Sequence, residues 1–198
     1  MVIAAGKNPN HPAPGSSIKV EPIRDKKAIA RIKKVLEDSP RDYCLFTLGI
    51  NTAFRANELL SIRAGMVNYL NPGDSLALKQ SKTKKYRQVI INRNAHDAIR
   101  GLITSKPFKD DDYLFTGQRG RLTVPTVSTM VKTWCRNAGL RGNYGSHTLR
   151  KTWGYWQRMR GTAIPLLMEA FGHATQQQTL AYLCIKAQEI EEMYQMEL

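Results

Sequence analysis

Two histidines, an arginine and a tyrosine stand at set intervals between Gly145 and Leu183. His147 and Arg150 are three apart, so a helix places them on one face. His173 follows Gly172 after an apolar helical run, and Tyr182 comes nine residues later in a further short helical run. Such a set suits the gripping and attack of a phosphate: guanidinium and imidazole donors bind its oxygens, and the phenol supplies a nucleophile. A plainer reading stands beside it. A His-x-x-Arg pair is common on basic helices, and Tyr182 within Leu-Ala-Tyr-Leu also suits a core.

The carrying elements come next. The pattern predicts a helix from His147 to about Met159, closed by Gly161, then a helix over 163–170 capped by Thr162 with Pro165 in its first turn. A last helix over 176–184 carries Tyr182. Upstream, helices are predicted over 25–36 and 42–50, separated by the Ser39-Pro40 break. Arg55 then starts a short helix with Glu58 one turn on. A carboxylate there can hold a guanidinium rigid, or the two can form a surface pair of little worth. Between 66 and 91 the period changes, and three short strands are predicted over 66–69, 75–79 and 87–91. Lys79, Lys82, Lys84, Lys85 and Arg87 make the second hairpin basic. It can reach into a DNA groove or over a phosphate; equally, its lysines can simply protect a sheet edge. Asn94 is the expected cap of a helix to about 103. Thr123 caps a helix whose Lys132 and Arg136 can lie along a phosphate backbone, with Gly139 at its end. Asp110, Asp111 and Asp112 are adjacent, but no spaced ligands accompany them, and a solvated loop is the better reading than a metal site. Trp153 and Trp156 read as core.

At 198 residues the chain is one domain, 20–198, behind a flexible tail over 1–19 in which Lys7 and His11 are the residues suited to touching DNA. Lys and Arg outnumber Asp and Glu by 30 to 16, a formal charge of +14 that favours a polyanionic partner. Nothing resembles a secretory signal, and no run approaches the ~18 apolar residues of a membrane span. Cys44, Cys135 and Cys184 are far apart in apolar contexts, which predicts buried free thiols and a cytosolic compartment. Residues 186–198 reverse the sign of charge and carry an apolar stripe of Ile190, Met193, Tyr194 and Leu198.

Taken in order, Arg55-x-x-Glu58, Lys82, His147-x-x-Arg150, Gly172-His173 and Tyr182 resemble the catalytic domain of the tyrosine recombinases, the phage integrase family. The resemblance spans about residues 20–198, and its HTLRKTWGYW wording is similar to small integrase-like proteins of bacteria and their mobile elements. It implies a mainly α fold with a small three-stranded antiparallel β-sheet. It implies DNA cutting and rejoining through a 3′-phosphotyrosine, with neither metal nor nucleotide cofactor. Carried over, Tyr182 is the nucleophile and Arg55 and Arg150 clamp the scissile phosphate. His147 and His173 donate to that phosphate, and His147 helps take the tyrosine proton. Lys82 is the acid for the leaving 5′-hydroxyl, with Lys84 and Lys85 as close alternatives, and Glu58 orients the site. Lys79, Lys84, Lys85, Arg87, Lys132, Arg136 and Lys151 become the expected DNA contacts. The implied partners are double-stranded DNA and, on it, three further copies in a tetramer, from a monomer free in solution. The place of action is the bacterial or phage-derived nucleoid.

The chain departs from the family in its front part. Family recombinases carry an N-terminal helical domain that closes around DNA, whereas here a short tail precedes the catalytic part. An excised fragment and a natural single-domain member both fit, with an accessory domain or protein as a further partner, and both imply a weaker, strongly salt-dependent grip. Two other readings remain: a DNA-binding architectural protein without catalysis, and relaxation of the type IB topoisomerase kind. The stripe over 186–198 packs either on its own domain or on a neighbouring protomer, as in family tetramers. Exchange predicts that deleting 186–198 lowers assembly on DNA in a gel-shift assay; unchanged assembly assigns the stripe to its own domain.

Overall fold

The computed structural model describes residues 20–79 and 86–184, together with Gln195. Lys82, Lys84 and Lys85, the tail with Lys7 and His11, and the stripe of Ile190, Met193, Tyr194 and Leu198 lie outside the described residues.

Helix α1 (Lys26–Val35) is started by Asp25, whose carboxylate accepts from the Lys27 N–H. Helix α2 (Pro40–Thr52) follows, with Pro40 in its first turn. Cys44 through Gly49 are all buried, which marks a helix surrounded by others rather than one lying on a surface. A single turn, α3 (Ala56–Leu59), comes next. Strands β1 (Ser75–Lys79) and β2 (Tyr86–Ile90) form an antiparallel ladder from Ser75 opposite Ile90 to Lys79 opposite Tyr86. Then come α4 (Arg93–Ser105), the short hairpin β3 (Thr116–Gly117) and β4 (Gly120–Arg121), α5 (Val124–Asn137), α6 (Ser146–Met159), α7 (Ile164–Phe171) and α8 (Gln176–Leu183).

The mainly helical class with small antiparallel sheets is as expected, but among the described residues the sheets are two pairs of strands rather than one set of three. The segment predicted as the first strand, 66–69, is turn instead, running on from a 3₁₀ turn over Ala64–Met66. Its amides are used elsewhere: Ala64 N–H donates to the Asp112 carbonyl and Gly65 N–H to the Asp110 carbonyl, both at 2.9 Å. The acidic loop is thereby explained as well. Its carboxylates accept from Asn68 and from the Lys109 amide, and Asp111 pairs with Arg63. Two caps also move. Asn92, not Asn94, accepts from Ala95 N–H to start α4, and Ala163 rather than Thr162 precedes α7. Thr123 caps α5 as expected.

The main core gathers α1 to α6, with α2 in the middle against α4 and α6. Gly49 permits the α2–α6 approach: a Cβ there would lie 2.5 Å from Leu149 Cδ1. Trp134 meets Phe46 edge to face within this core, Trp156 donates to the Ile23 carbonyl, and Cys44 and Cys135 are buried free thiols. A smaller cluster of Ala53, Leu167, Phe171 and Leu183 joins α7 and α8 to α6, with Trp153, Ile164 and Tyr182 packed against it. Among the described residues no helix is long and apolar enough to cross a membrane.

Gly154 is the contact point between α6 and this second cluster. A Cβ on it would stand 2.3 Å from Phe171 Cζ and 3.0 Å from a Leu183 methyl. Gly154→Val is expected to destabilise the fold by about 1–3 kcal/mol through overpacking, read as a lower urea midpoint. Because Phe171 moves with it, the groups described next should be disturbed more than those on α1 or α4.

Candidate active site

The two histidines, the arginine and the tyrosine singled out in the sequence, joined by Arg55 and Glu58, converge at the C-terminal end of α7. Helix α7 ends in the left-handed Gly172 (φ 62°), and the amides of Gly172 and His173 return to Glu169 and Met168. The Ala170 and Phe171 carbonyls are left pointing out of the helix, at the negative end of its dipole. Arg150 Nη2 donates to the Phe171 carbonyl at 2.6 Å, and Arg55 Nη2 donates to the same oxygen at 3.3 Å. Arg87 Nη2 donates to the Ala170 carbonyl, and Arg150 Nη1 donates to the Ala53 carbonyl. Ala53 ends α2 with φ 54°, a strained conformation for a residue with a Cβ, and it aims that carbonyl at Arg150.

Glu58 is buried and acts twice on Arg55. One oxygen accepts the Arg55 backbone N–H at 2.7 Å and the other meets Arg55 Nη1 at 3.0 Å. The carboxylate at the third helical position thus caps α3 and fixes the guanidinium. Arg55 keeps 35% side-chain exposure, while Arg150 is 2% exposed.

Helix α6 starts at Gly145, where Thr148 Oγ1 accepts the Gly145 amide. His147 is therefore in the first turn, at the rim. Its Nδ1 is 3.4 Å from the Tyr182 hydroxyl. Tyr182 projects from α8 into an aromatic nest: its ring is edge-on to Phe171 and His173, with centroids 5.0 and 5.1 Å away. His173 stacks on Phe171, and its Nδ1 is 3.0 Å from Thr179 Oγ1. The predicted catalytic residues within the described range are therefore all in one place: Arg55, His147, Arg150, His173 and Tyr182, with Glu58 beside them.

Two of the expected DNA contacts are not on the outer surface. Strand alternation exposes Tyr86, Gln88 and Ile90 and turns Arg87 inward, leaving its side chain 9% exposed beside Glu58. Lys151 is buried too. Its ammonium donates to Cys184 Sγ at 3.0 Å and lies 4.9 Å from the Tyr182 ring centre. Lys79, Lys132 and Arg136 are exposed, and the last two line a groove with Thr129, Thr133 and Tyr144. Lys151 follows Arg150 directly, so its neighbour in sequence gave no warning of its burial. Phe171 and Ala53, which support the site through their backbone carbonyls, have no polar side chain that the sequence could have shown.

Positive charge dominates. Arg55, Arg87 and Arg150 stand around the Glu58 carboxylate, and Lys151 adds a further cation beside Tyr182. Burial, then the neighbouring guanidiniums, holds the His173 imidazole down at about 4, and burial with Arg150, Lys151 and Arg55 lowers His147 also. Both are neutral at pH 7. Burial raises the Tyr182 phenol, while Arg150 and Arg55 pull it back. Among the described residues no three His, Cys, Asp or Glu side chains come together as a metal site.

The lowered imidazoles set a stability trend. Unfolding returns His173 from about 4 to its ordinary value near 6.5, so the unfolded chain binds more protons between these pH values. Stability is expected to fall as pH drops from about 6.5 towards 4. His173→Gln should flatten that slope in urea melts taken across the range; an equal slope in the variant refutes the assignment.

Comparison with known proteins agrees with this geometry. Residues 24–189 match the model of the phage integrase family. The probable integrase/recombinase YoeC of Bacillus subtilis (strain 168) is 32% identical, over 84% of this chain and 90% of YoeC. Tyrosine recombinase XerC of Caldanaerobacter subterraneus subsp. tengcongensis is 30% identical over 81% of this chain and 47% of its own length. The XerH site-specific recombinase in a post-cleavage complex with palindromic difH substrate superposes with a TM-score of 0.70 and 23% identity, over 90% of this chain and 53% of that one. The chain thus spans nearly all of YoeC but about half of XerC and XerH. On the match of its sequence and the gathering of its arginines, histidines and tyrosine, the chain belongs to the phage integrase family of tyrosine recombinases.

Proposed function

We propose that residues 20–198 form the catalytic domain of a site-specific recombinase that cuts and rejoins double-stranded DNA through a 3′-phosphotyrosine. One observation carries this reading: the Tyr182 hydroxyl is 3.4 Å from a neutral imidazole, inside a cluster of guanidiniums that, among the described residues, outnumber their carboxylate partner Glu58. Tyr182 Oη attacks the scissile phosphorus and its proton passes to His147 Nδ1. In that tautomer the His147 Nε2–H faces outward as a donor to a phosphate oxygen. Thr179 donates its hydroxyl to His173 Nδ1, leaving the Nε2–H of His173 for the same phosphate. Arg55 and Arg150 meet the non-bridging oxygens, on which charge builds in the transition state. The bond to O5′ breaks, Lys82 protonates that oxygen, and a free 5′-hydroxyl remains opposite the phosphotyrosine. Attack by the 5′-hydroxyl of a partner strand reverses the sequence and joins new ends. The phosphotyrosine conserves the bond, so no nucleotide is consumed.

A phenol with a pKa of ~10 is almost wholly protonated at pH 7, and burial raises Tyr182 further. A base in contact is therefore required, and the lowered His147 remains unprotonated to serve. Lys79, Lys132 and Arg136 then grip the backbone on either side. Copies assemble as tetramers on DNA, in the nucleoid, from monomers.

A suicide DNA substrate, trapped after cleavage, tests the reading. The wild-type chain should form a covalent adduct that Tyr182→Phe abolishes. Arg150→Lys, which retains charge but not the fork, should lower adduct formation ~100-fold or more with binding nearly intact. Tight binding without any adduct would replace the reading with an architectural protein. Relaxation of plasmid lacking every target site would replace it with a topoisomerase.

A further inference from the structure

Arg87 is buried where a strand residue beside a basic hairpin has every opportunity to reach solvent. Its guanidinium donates to the Ala170 carbonyl and places Nη1 3.9 Å from Glu58 Oε2. Nη1 itself has no hydrogen-bond partner among the described residues. The Phe54 ring centre is 6.0 Å from its central carbon. A buried cation with an unmet donor, close to two other guanidiniums, is costly, and the contacts it does make must offset that cost. Burial lowers its affinity for the proton and Glu58 sustains it.

What it holds is the frame of the other two arginines. Glu58 Oε2, which faces Arg87, also accepts the backbone amide of Arg55, and its second oxygen grips the Arg55 guanidinium. The Ala170 carbonyl that Arg87 binds is adjacent to the Phe171 carbonyl shared by Arg55 and Arg150. Arg87 belongs to β2, where it pairs with Leu78 of β1. One side chain therefore ties the hairpin to α3 and to the end of α7.

We propose that Arg87 is a positioning residue for strand transfer, a rivet that joins the β1–β2 hairpin to Glu58 and the end of α7 and thereby sets Arg55 and Arg150 against the scissile phosphate. The inference rests on the recombinase reading above. It differs from a role as an outer DNA contact, because a contact of that kind acts on affinity and its salt dependence, whereas a positioning residue acts on the rate once DNA is bound.

The test uses Arg87→Gln and Arg87→Lys in the full chain, each confirmed folded by its melting transition. With saturating suicide substrate, Arg87→Gln should form adduct ~100-fold more slowly while its affinity for DNA and the salt slope stay unchanged. Arg87→Lys should recover little of the rate, since an ammonium cannot bridge carboxylate and carbonyl as the fork does. A normal rate at saturation with weaker, less salt-dependent binding overturns the proposal and returns Arg87 to the DNA-contact set; so does full rescue by lysine. Should wild type itself form no adduct, the recombinase reading fails and a DNA-free measurement still judges Arg87. Tyrosinate absorbance of each chain minus its Tyr182→Phe counterpart gives the Tyr182 midpoint. Arg87→Gln, and Arg87→Lys if the glutamine variant does not fold, should raise it; an unmoved midpoint overturns the proposal.

Discussion

Three guanidiniums meet at the end of one short helix, and the rest of the molecule is arranged around keeping them there. Like charges at such range repel strongly once removed from water. The fold offsets the repulsion with the two terminal carbonyls of α7, the negative end of its dipole, the Ala53 carbonyl and the single carboxylate of Glu58. The balance is left positive. That excess is the physical basis of the anion site proposed between Arg55 and Arg150.

Rigidity comes from Phe171, one residue that is not polar at all. Its carbonyl takes two arginines, while its ring is touched by Trp153, His173, Tyr182 and the Arg150 guanidinium. Backbone geometry, acceptor and aromatic floor are thus set by a single position, and Gly154 on α6 makes room for it. Two non-glycine residues in the left-handed region, Ala53 and Cys184, are also neighbours of the cluster. The first directs its carbonyl to Arg150, and the second receives the Lys151 ammonium on its sulfur. Strain at both is held by the surrounding contacts.

The neutral imidazoles follow first from burial and then from the same charge excess. The guanidiniums carry the positive charge, and the imidazoles stay neutral at pH 7.

Much of this was legible in the chain. Helix periods and breakers located α1, α2 and α5 to α8, since each buries one apolar face or a whole apolar run. The order and spacing of Arg55, Glu58, His147, Arg150, His173 and Tyr182 pointed to the candidate site where the fold gathers them, because helices present residues three apart together and each of these side chains has a distinct chemistry. The segment after Ile62 was not legible, because the acceptors for the Ala64 and Gly65 amides come from residues 110–112, far along the chain. Nor was the burial of Arg87 and Lys151. A cation in a basic run reads as exposed, and only the packing of β2 against α7, and of α6 against α8, decides that these two face inward. Residue type and local spacing determined which groups are present and which could share a helix face. Tertiary structure alone decided which cations became neighbours, because that depends on carbonyls and rings contributed by elements tens of residues away.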